Sequence, residues 1–152
     1  MKKRKPADLD RQLCPVVNAV KLIGDKWTLL ILREMYLGFR KFDDFQKNLT
    51  ISKSVLTVKL NRMLELGLLE KKEYQVEKQR SRYEYCLTDK GIDSSKVIIA
   101  LLEWGNSYLV NPKNPSITTV EKGTFSATRL CMNNEQGEVV DWKDLRLVIQ
   151  EK

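Results

Sequence analysis

Apolar residues recur at helical spacing through the first two thirds of the chain and alternate only in short later stretches. Val16 to Ile23 is apolar on one face, with Pro15 suited to a first helical turn and Gly24 to a stop. Asp25 is a good N-cap for a second helix, Lys26 to Leu37, whose apolar positions are Trp27, Leu30, Ile31, Met35 and Tyr36; Gly38 suits its end. A third, short helix is expected over Lys41 to Lys47 with Phe42 and Phe45 inward. After a turn over Asn48 to Ile51, Ser52 caps a fourth helix whose stripe is Leu56, Leu60, Met63 and Leu64, closed by Gly67. Two helices joined by a short turn, the second ending at glycine, have helix-turn-helix form.

Leu68 to Tyr74 and Arg82 to Leu87 then read as two strands, with β-favouring residues such as Tyr83 and Tyr85. The polar segment between them, Gln75 to Ser81, makes residues 75–82 a charged hairpin of the kind called a wing. Thr88 is expected to cap one long helix through about Tyr108. Its apolar residues (Ile92, Val97, Ile98, Ile99, Leu101, Leu102, Trp104, Tyr108) spread over more than one face. A helix apolar on two sides needs two partners, and the second is read as another copy of the chain, with the C-terminal segment as the alternative cover. Asn111 to Ser116 is a linker by composition. Beyond it, strands are expected over Phe125 to Met132, Glu138 to Val140 and the alternating Leu145, Leu147, Ile149, with a turn at Asn133 to Gly137.

The predicted fold is therefore α+β, mainly α. It comprises a winged helix-turn-helix domain over residues 13–109 with a long C-terminal dimerisation helix. A flexible basic tail (1–12) precedes it; a linker (110–116) and a small β appendage (117–152) follow.

Charge adds a direction to this picture. The formal net charge is +7. Residues 1–109 hold 21 Lys and Arg against 14 Asp and Glu, an excess of seven, whereas residues 110–152 hold six of each. A positive excess confined to the helical part raises the local concentration of polyanions, of which nucleic acid is the commonest. There is no histidine, which removes the usual general base and most zinc chemistry. Cys14, Cys86 and Cys131 are far apart and odd in number, which argues against a disulfide framework or a zinc site and for a reducing cytoplasm. The charged N-terminus has no apolar run behind it, and no stretch is long enough to span a bilayer. No cofactor or metal is expected.

With Leu60 at the centre of the buried face, Ser54, Val55, Val58, Asn61 and Arg62 point outward and Thr57 lies at the margin. Outward valines are odd on a solvated helix and fit thymine methyl groups in a major groove. Ser52, Lys53 and Ser54 stand at the helix N-terminus, where N–H groups and the dipole favour phosphate. Lys53, Ser54 and Thr57 are the leading readout residues, with Asn61 set to reach a base and Arg62 the backbone. Arg40 and Lys41 before the third helix, and Lys78, Arg80 and Arg82 in or beside the wing, complete the candidate set.

Residues 14–105 resemble the HxlR-type winged helix-turn-helix regulators, relatives of the MarR family. The resemblance is carried by Cys14-Pro15, Ile23 to Glu34, Gly38 to Phe42, Ile51-Ser52 with Leu56, Leu60 and Met63, Gly67-Leu68, Tyr85 to Gly91, and Glu103 to Gly105. It implies a transcription regulator that binds duplex DNA at a palindromic or pseudo-palindromic operator, with half-sites roughly one turn, about 34 Å, apart. It implies a homodimer built from the first and last helices of the domain, the helix over 52–66 in the major groove and the wing on the minor groove or backbone. The chain departs from the family at Ser54, where a basic residue is common, and in a wing without prolines. Cys14 stands where some members carry a redox-sensing cysteine, next to a helix start. A small-molecule effector is left open. An enzyme lacks any nucleophile motif or phosphate loop. A winged-helix module that binds protein and not specific DNA is the alternative.

Overall fold

The computed structural model describes residues 14–74, 82–110, 113 and 115–147. Among these the elements are α1 Pro15–Ile23, α2 Lys26–Tyr36, α3 Phe42–Leu49, α4 Lys53–Glu65, β1 Leu69–Tyr74, β2 Arg82–Leu87, α5 Asp89–Asp93, α6 Ser95–Tyr108, β3 Met132–Asn133 and β4 Val139–Val140. This is the mainly helical α+β arrangement that the apolar spacing predicts. Two compact units result, residues 15–98 and, among the described residues, residue 14 with residues 99–147.

In the first unit the core is drawn from the expected apolar positions together with Leu32, while Trp27, Leu30, Tyr36, Phe42 and Leu64 are only partly buried. Ile31, Leu32 and Met35 from α2, Phe45 from α3, and Leu56, Leu60 and Met63 from α4 are fully buried, with Ile51, Leu68, Leu69 and Tyr85 beside them. Each main helix starts on a capping side chain where the sequence offers one. Asp25 accepts from the N–H groups of Trp27 and Thr28, Ser52 from that of Val55, and Thr88 from that of Gly91. The helix-turn-helix corner is shorter and later than the composition suggests. α3 runs on through Leu49, and Thr50 turns the chain in the left-handed region (φ 51°, ψ 40°) before buried Ile51 and the Ser52 cap. Burying Ile51 leaves Thr50 to make the reversal alone. Gly67, at φ 65°, turns α4 into β1 without a Cβ penalty.

β1 and β2 pair antiparallel, Leu69 opposite Leu87 and Tyr74 opposite Arg82. The hairpin is fixed to the helices twice. The Tyr85 ring meets Phe45 at 6.1 Å between centroids, and the Tyr85 N–H donates to the Arg40 carbonyl at 2.8 Å. Cys86 is half-buried, because it stands on the strand face opposite Tyr85, across from exposed Glu70.

The single helix expected from Thr88 to Tyr108 is two helices broken at Ser94. The break has a polar cause. The Tyr36 hydroxyl lies 2.7 Å from the Gly91 carbonyl and 2.9 Å from that of Ile92, and the Ser94 hydroxyl donates to the Gly91 carbonyl at 2.6 Å. With that oxygen occupied, Ser94 N–H closes a tight turn onto it at 3.1 Å and α6 begins afresh, Ile98 N–H bonding to the Ser94 carbonyl.

In the second unit most of the residues past α6 are exposed and carry little regular structure. Phe125 to Cys131 does not form a continuous strand, and only Met132 of the expected stretch enters one, as the start of β3. Glu121 to Ser126 is a tight turn, with Gly123 at φ 103° and Phe125 at φ 56°, so that Val120 bridges Ala127. Lys122-Gly-Thr124 is turn chemistry, and it outweighs the β-favouring residues around it. The turn expected at Asn133 to Gly137 is present, joining β3 to β4. Leu145 and Leu147 are not in a strand, since no neighbouring segment pairs with them; Ile149 lies outside the described residues. Leu130 N–H donates to the Glu103 carboxylate at 2.6 Å, and Asn106 donates to the Ile117 carbonyl at 3.0 Å, so these residues are tied to α6.

Gly91 gives a sharp test of the packing. A Cβ there would stand 2.1 Å from the Leu68 carbonyl oxygen and 3.0 Å from Leu87 Cδ2. Gly to Ala within a helix ordinarily stabilises by about 1 kcal/mol. Here backbone must move, so Gly91→Ala is expected to destabilise by about 1–3 kcal/mol in urea unfolding.

Candidate nucleic-acid interface

α4 is the centre of the candidate site. Its buried arc is Leu56, Leu60 and Met63, and the opposite arc is open. Ser54, Thr57, Asn61 and Arg62 are exposed there, with Val55 38% and Val58 65% exposed. Val58 packs on nothing that would hide it, although a valine ordinarily seeks burial. At the helix start Ser52 accepts from the Val55 N–H at 3.4 Å and its hydroxyl lies 3.2 Å from that of Ser54; Lys53 is exposed beside them. The Thr57 hydroxyl donates back to the Lys53 carbonyl at 2.8 Å, so only its lone pairs and methyl group are offered outward. Arg62 pairs with Glu65 at 3.0 Å on the exposed face, a bond weak enough to exchange.

Arg40 and Lys41 lie just before α3. Arg40 is half-buried and its carbonyl is held by β2, while the exposed Lys41 ammonium sits 5.3 Å from the Tyr74 ring centroid. Arg82 opens β2 opposite Tyr74. Lys78 and Arg80 lie outside the described residues. Cys14 is half-buried, immediately before the first residue of α1.

Two charged residues that position this surface are absent from the sequence-based set. Glu34 on α2 is 2% exposed and accepts from Asn48 on α3 at 2.8 Å and from Arg33 Nε at 3.0 Å. It ties the two helices by charge-assisted bonds that a buried carboxylate requires. Its position three residues after Ile31, within the apolar arc of α2, was the available signal. Lys59 of α4 pairs with Asp25, the N-cap of α2, at 2.9 Å. Among the described residues every buried side-chain nitrogen or oxygen has a partner.

The profile of the HxlR-like helix-turn-helix family matches residues 22–113. The chain belongs to this family. It is 40% identical over 102 residues to the uncharacterized HTH-type transcriptional regulator MT3179 of Mycobacterium tuberculosis, a match covering 67% of this chain and 63% of that protein. The HxlR-like chain thus spans just under two thirds of the length of that curated relative. Among solved structures it is similar to PA1607, assigned as a transcription factor, at 29% identity and TM-score 0.77 over 91% of this chain and 96% of that one. It is also similar to the oxidized form of the redox regulator HypR, at 26% identity and TM-score 0.56 over 64% and 99%. The PA1607 match extends past residue 113 into the appendage, whereas the HypR match is too short to include all of both parts. Among the described residues no helix is long and apolar enough to cross a membrane.

The Asp25–Lys59 pair makes the seating of α4 in this HxlR-like chain depend on pH. Burial acts to raise the Asp25 carboxyl, but hydrogen bonds from the Thr28 hydroxyl, Lys59 and the Thr28 N–H outweigh it and hold the pKa below its ordinary 3.8. A lowered folded pKa stabilises the fold above the unfolded value, and that stability is lost as the pH falls through the folded value. In acid titrations of urea-unfolding midpoints, Asp25→Asn should be less stable than wild type at neutral pH. The difference should shrink as the pH drops below 3.8.

Proposed function

We propose that the HxlR-like chain is a sequence-specific duplex-DNA-binding transcription regulator that acts as a homodimer. The observation that carries the reading is the outward arc of α4. It combines hydrogen-bonding groups (Ser54, Thr57, Asn61), exposed methyl groups (Val55, Val58) and cations (Lys53, Arg62) on a helix whose other side is wholly occupied. Base edges in a major groove ask for that mixture, and a solvated surface does not. The same reading gives Ser52, Arg40, Lys41 and Arg82 to phosphates, with Lys78 and Arg80 carried by the wing. Cys14 is the position on which an oxidant response would act; HypR, to which the chain is similar, is a redox regulator.

The dimer is supported by apolar surface that one chain does not cover. α1 is nine residues long and has no buried residue; Val16 and Val20 are exposed one turn apart. Isolated helices that short are marginal in water, so α1 calls for packing from elsewhere. α6 likewise exposes Val97, Leu101, Trp104 and Tyr108, spaced by four, three and four residues along one stripe. A second copy of the chain offers the same stripes, as a two-fold interface requires.

Binding of the protein to its own upstream intergenic duplex and to a scrambled duplex across a salt series tests the reading. Lys41→Ala should weaken both complexes several-fold and flatten the salt slope by about one. Val58→Ala should cost on the order of tenfold on the upstream duplex alone, since its methyl groups meet bases and not phosphates. Failure of the wild type to bind either duplex at low salt would sink the proposal. For the dimer, Leu101→Glu should yield monomers in sedimentation equilibrium with unchanged far-ultraviolet circular dichroism.

A further inference from the structure

A groove of about 340 Å³ lies between the start of α3 and the root of the β1–β2 hairpin. Its cations come from two elements, Lys41 before α3 and Lys71 on β1, and its aromatic walls include Tyr74, Tyr83 and Tyr85. The lysines are held in an unusual way. The Lys41 ammonium lies 5.3 Å from the Tyr74 ring centroid and that of Lys71 5.8 Å from the Tyr85 ring. Among the described residues neither has a carboxylate within ion-pair distance, whereas Lys59, Lys72 and Lys96 each have one. Ring faces orient an ammonium without neutralising it. The two charges are therefore positioned but not cancelled, and both line one concavity.

The Tyr85 wall is anchored to the core. Tyr85 is buried against Phe45, its N–H is bonded to the Arg40 carbonyl, and Lys71 stands opposite Tyr85 in the hairpin register. Tyr83 is exposed, leaving its phenol hydroxyl available as a further donor. Asp43 supplies the one carboxylate in the lining.

We infer that this groove seats a phosphate of the DNA backbone, with Lys71 and Tyr83 acting beside Lys41 and with Asp43 limiting the affinity. The inference rests on the DNA-binding reading. The first helix of a helix-turn-helix crosses the backbone, and the hairpin is read as lying against it, so the groove sits between the two elements nearest the phosphates. Ammonium and phenol donors around a small concavity suit a phosphate's acceptor oxygens.

The test is fluorescence anisotropy on the upstream and scrambled duplexes across a salt series, with folding checked by urea midpoints. Lys71→Ala should lower affinity several-fold on both duplexes alike and reduce the salt slope by about 0.9, the mark of one lost phosphate contact. Tyr83→Phe should lower affinity less and leave the slope unchanged. Asp43→Asn should raise affinity several-fold, an effect of opposite sign that damage to the fold would not produce. Lys72→Ala, one residue along on the other strand face and paired with Glu70 at 3.0 Å, is the matched control and should leave the slope as in wild type. A Lys71→Ala slope equal to wild type, or a Lys72→Ala loss as large, would overturn the phosphate seat while leaving the regulator reading intact. A wild type that binds neither duplex would remove both.

Discussion

Leu56, Leu60 and Met63 present one continuous arc of α4 to α2, α3 and the strand that follows, and this contact sets the orientation of everything else on the helix. Rotating α4 by one residue, about 100°, would bring polar side chains into the core and leucines into water. The burial of three large side chains forbids that, at roughly 1.5–3 kcal/mol each. The exposed residues are thus aimed by the ones that are hidden. Lys59 adds a polar stay from the flank of the helix to Asp25, and Gly67 releases the chain immediately into β1.

The hairpin and the broken helix hang on the same core. Tyr85 carries the hairpin onto Phe45, and Gly91 lets α5 approach the Leu68 carbonyl closer than any side chain would permit. Tyr36, on α2, holds the Gly91 and Ile92 carbonyls, and its own pKa is raised by burial of the ring. It stays a neutral phenol that donates where a helix would otherwise continue. One helix, α2, therefore reaches α4 through Asp25 at its start and the α5–α6 break through Tyr36 at its end.

Much of this was legible in the sequence because it is written in short-range terms. The α4 stripe, its Ser52 cap and Gly67 closure, and the outward set from Ser54 to Arg62 follow from a period of 3.6 and the chemistry of helix ends. What was not legible depends on distant partners. The break at Ser94 is met by a hydroxyl 58 residues earlier in the chain, and the local sequence reads as continuous helix. The half-burial of Cys86 depends on which face of the hairpin meets α3. Beyond residue 117 the apolar residues are too few and too exposed to select a register, so the turn signals decided the backbone while the alternation at Leu145 and Leu147 did not. Lys71 went unremarked because a lysine in a strand looks like any solvated charge until its ring partner is known.

The division of α4 into a committed face and a free one has an evolutionary side. Positions 54, 55, 58, 61 and 62 bear almost none of the weight of the fold, so each can change its side chain with little loss of stability. Gly91 stands at the other extreme, where a single methyl group is refused. Duplicated copies of such a gene can drift apart at the free positions while the framework stays fixed. A lineage can remodel this exposed face by ordinary point mutation, without first passing through an unfolded ancestor.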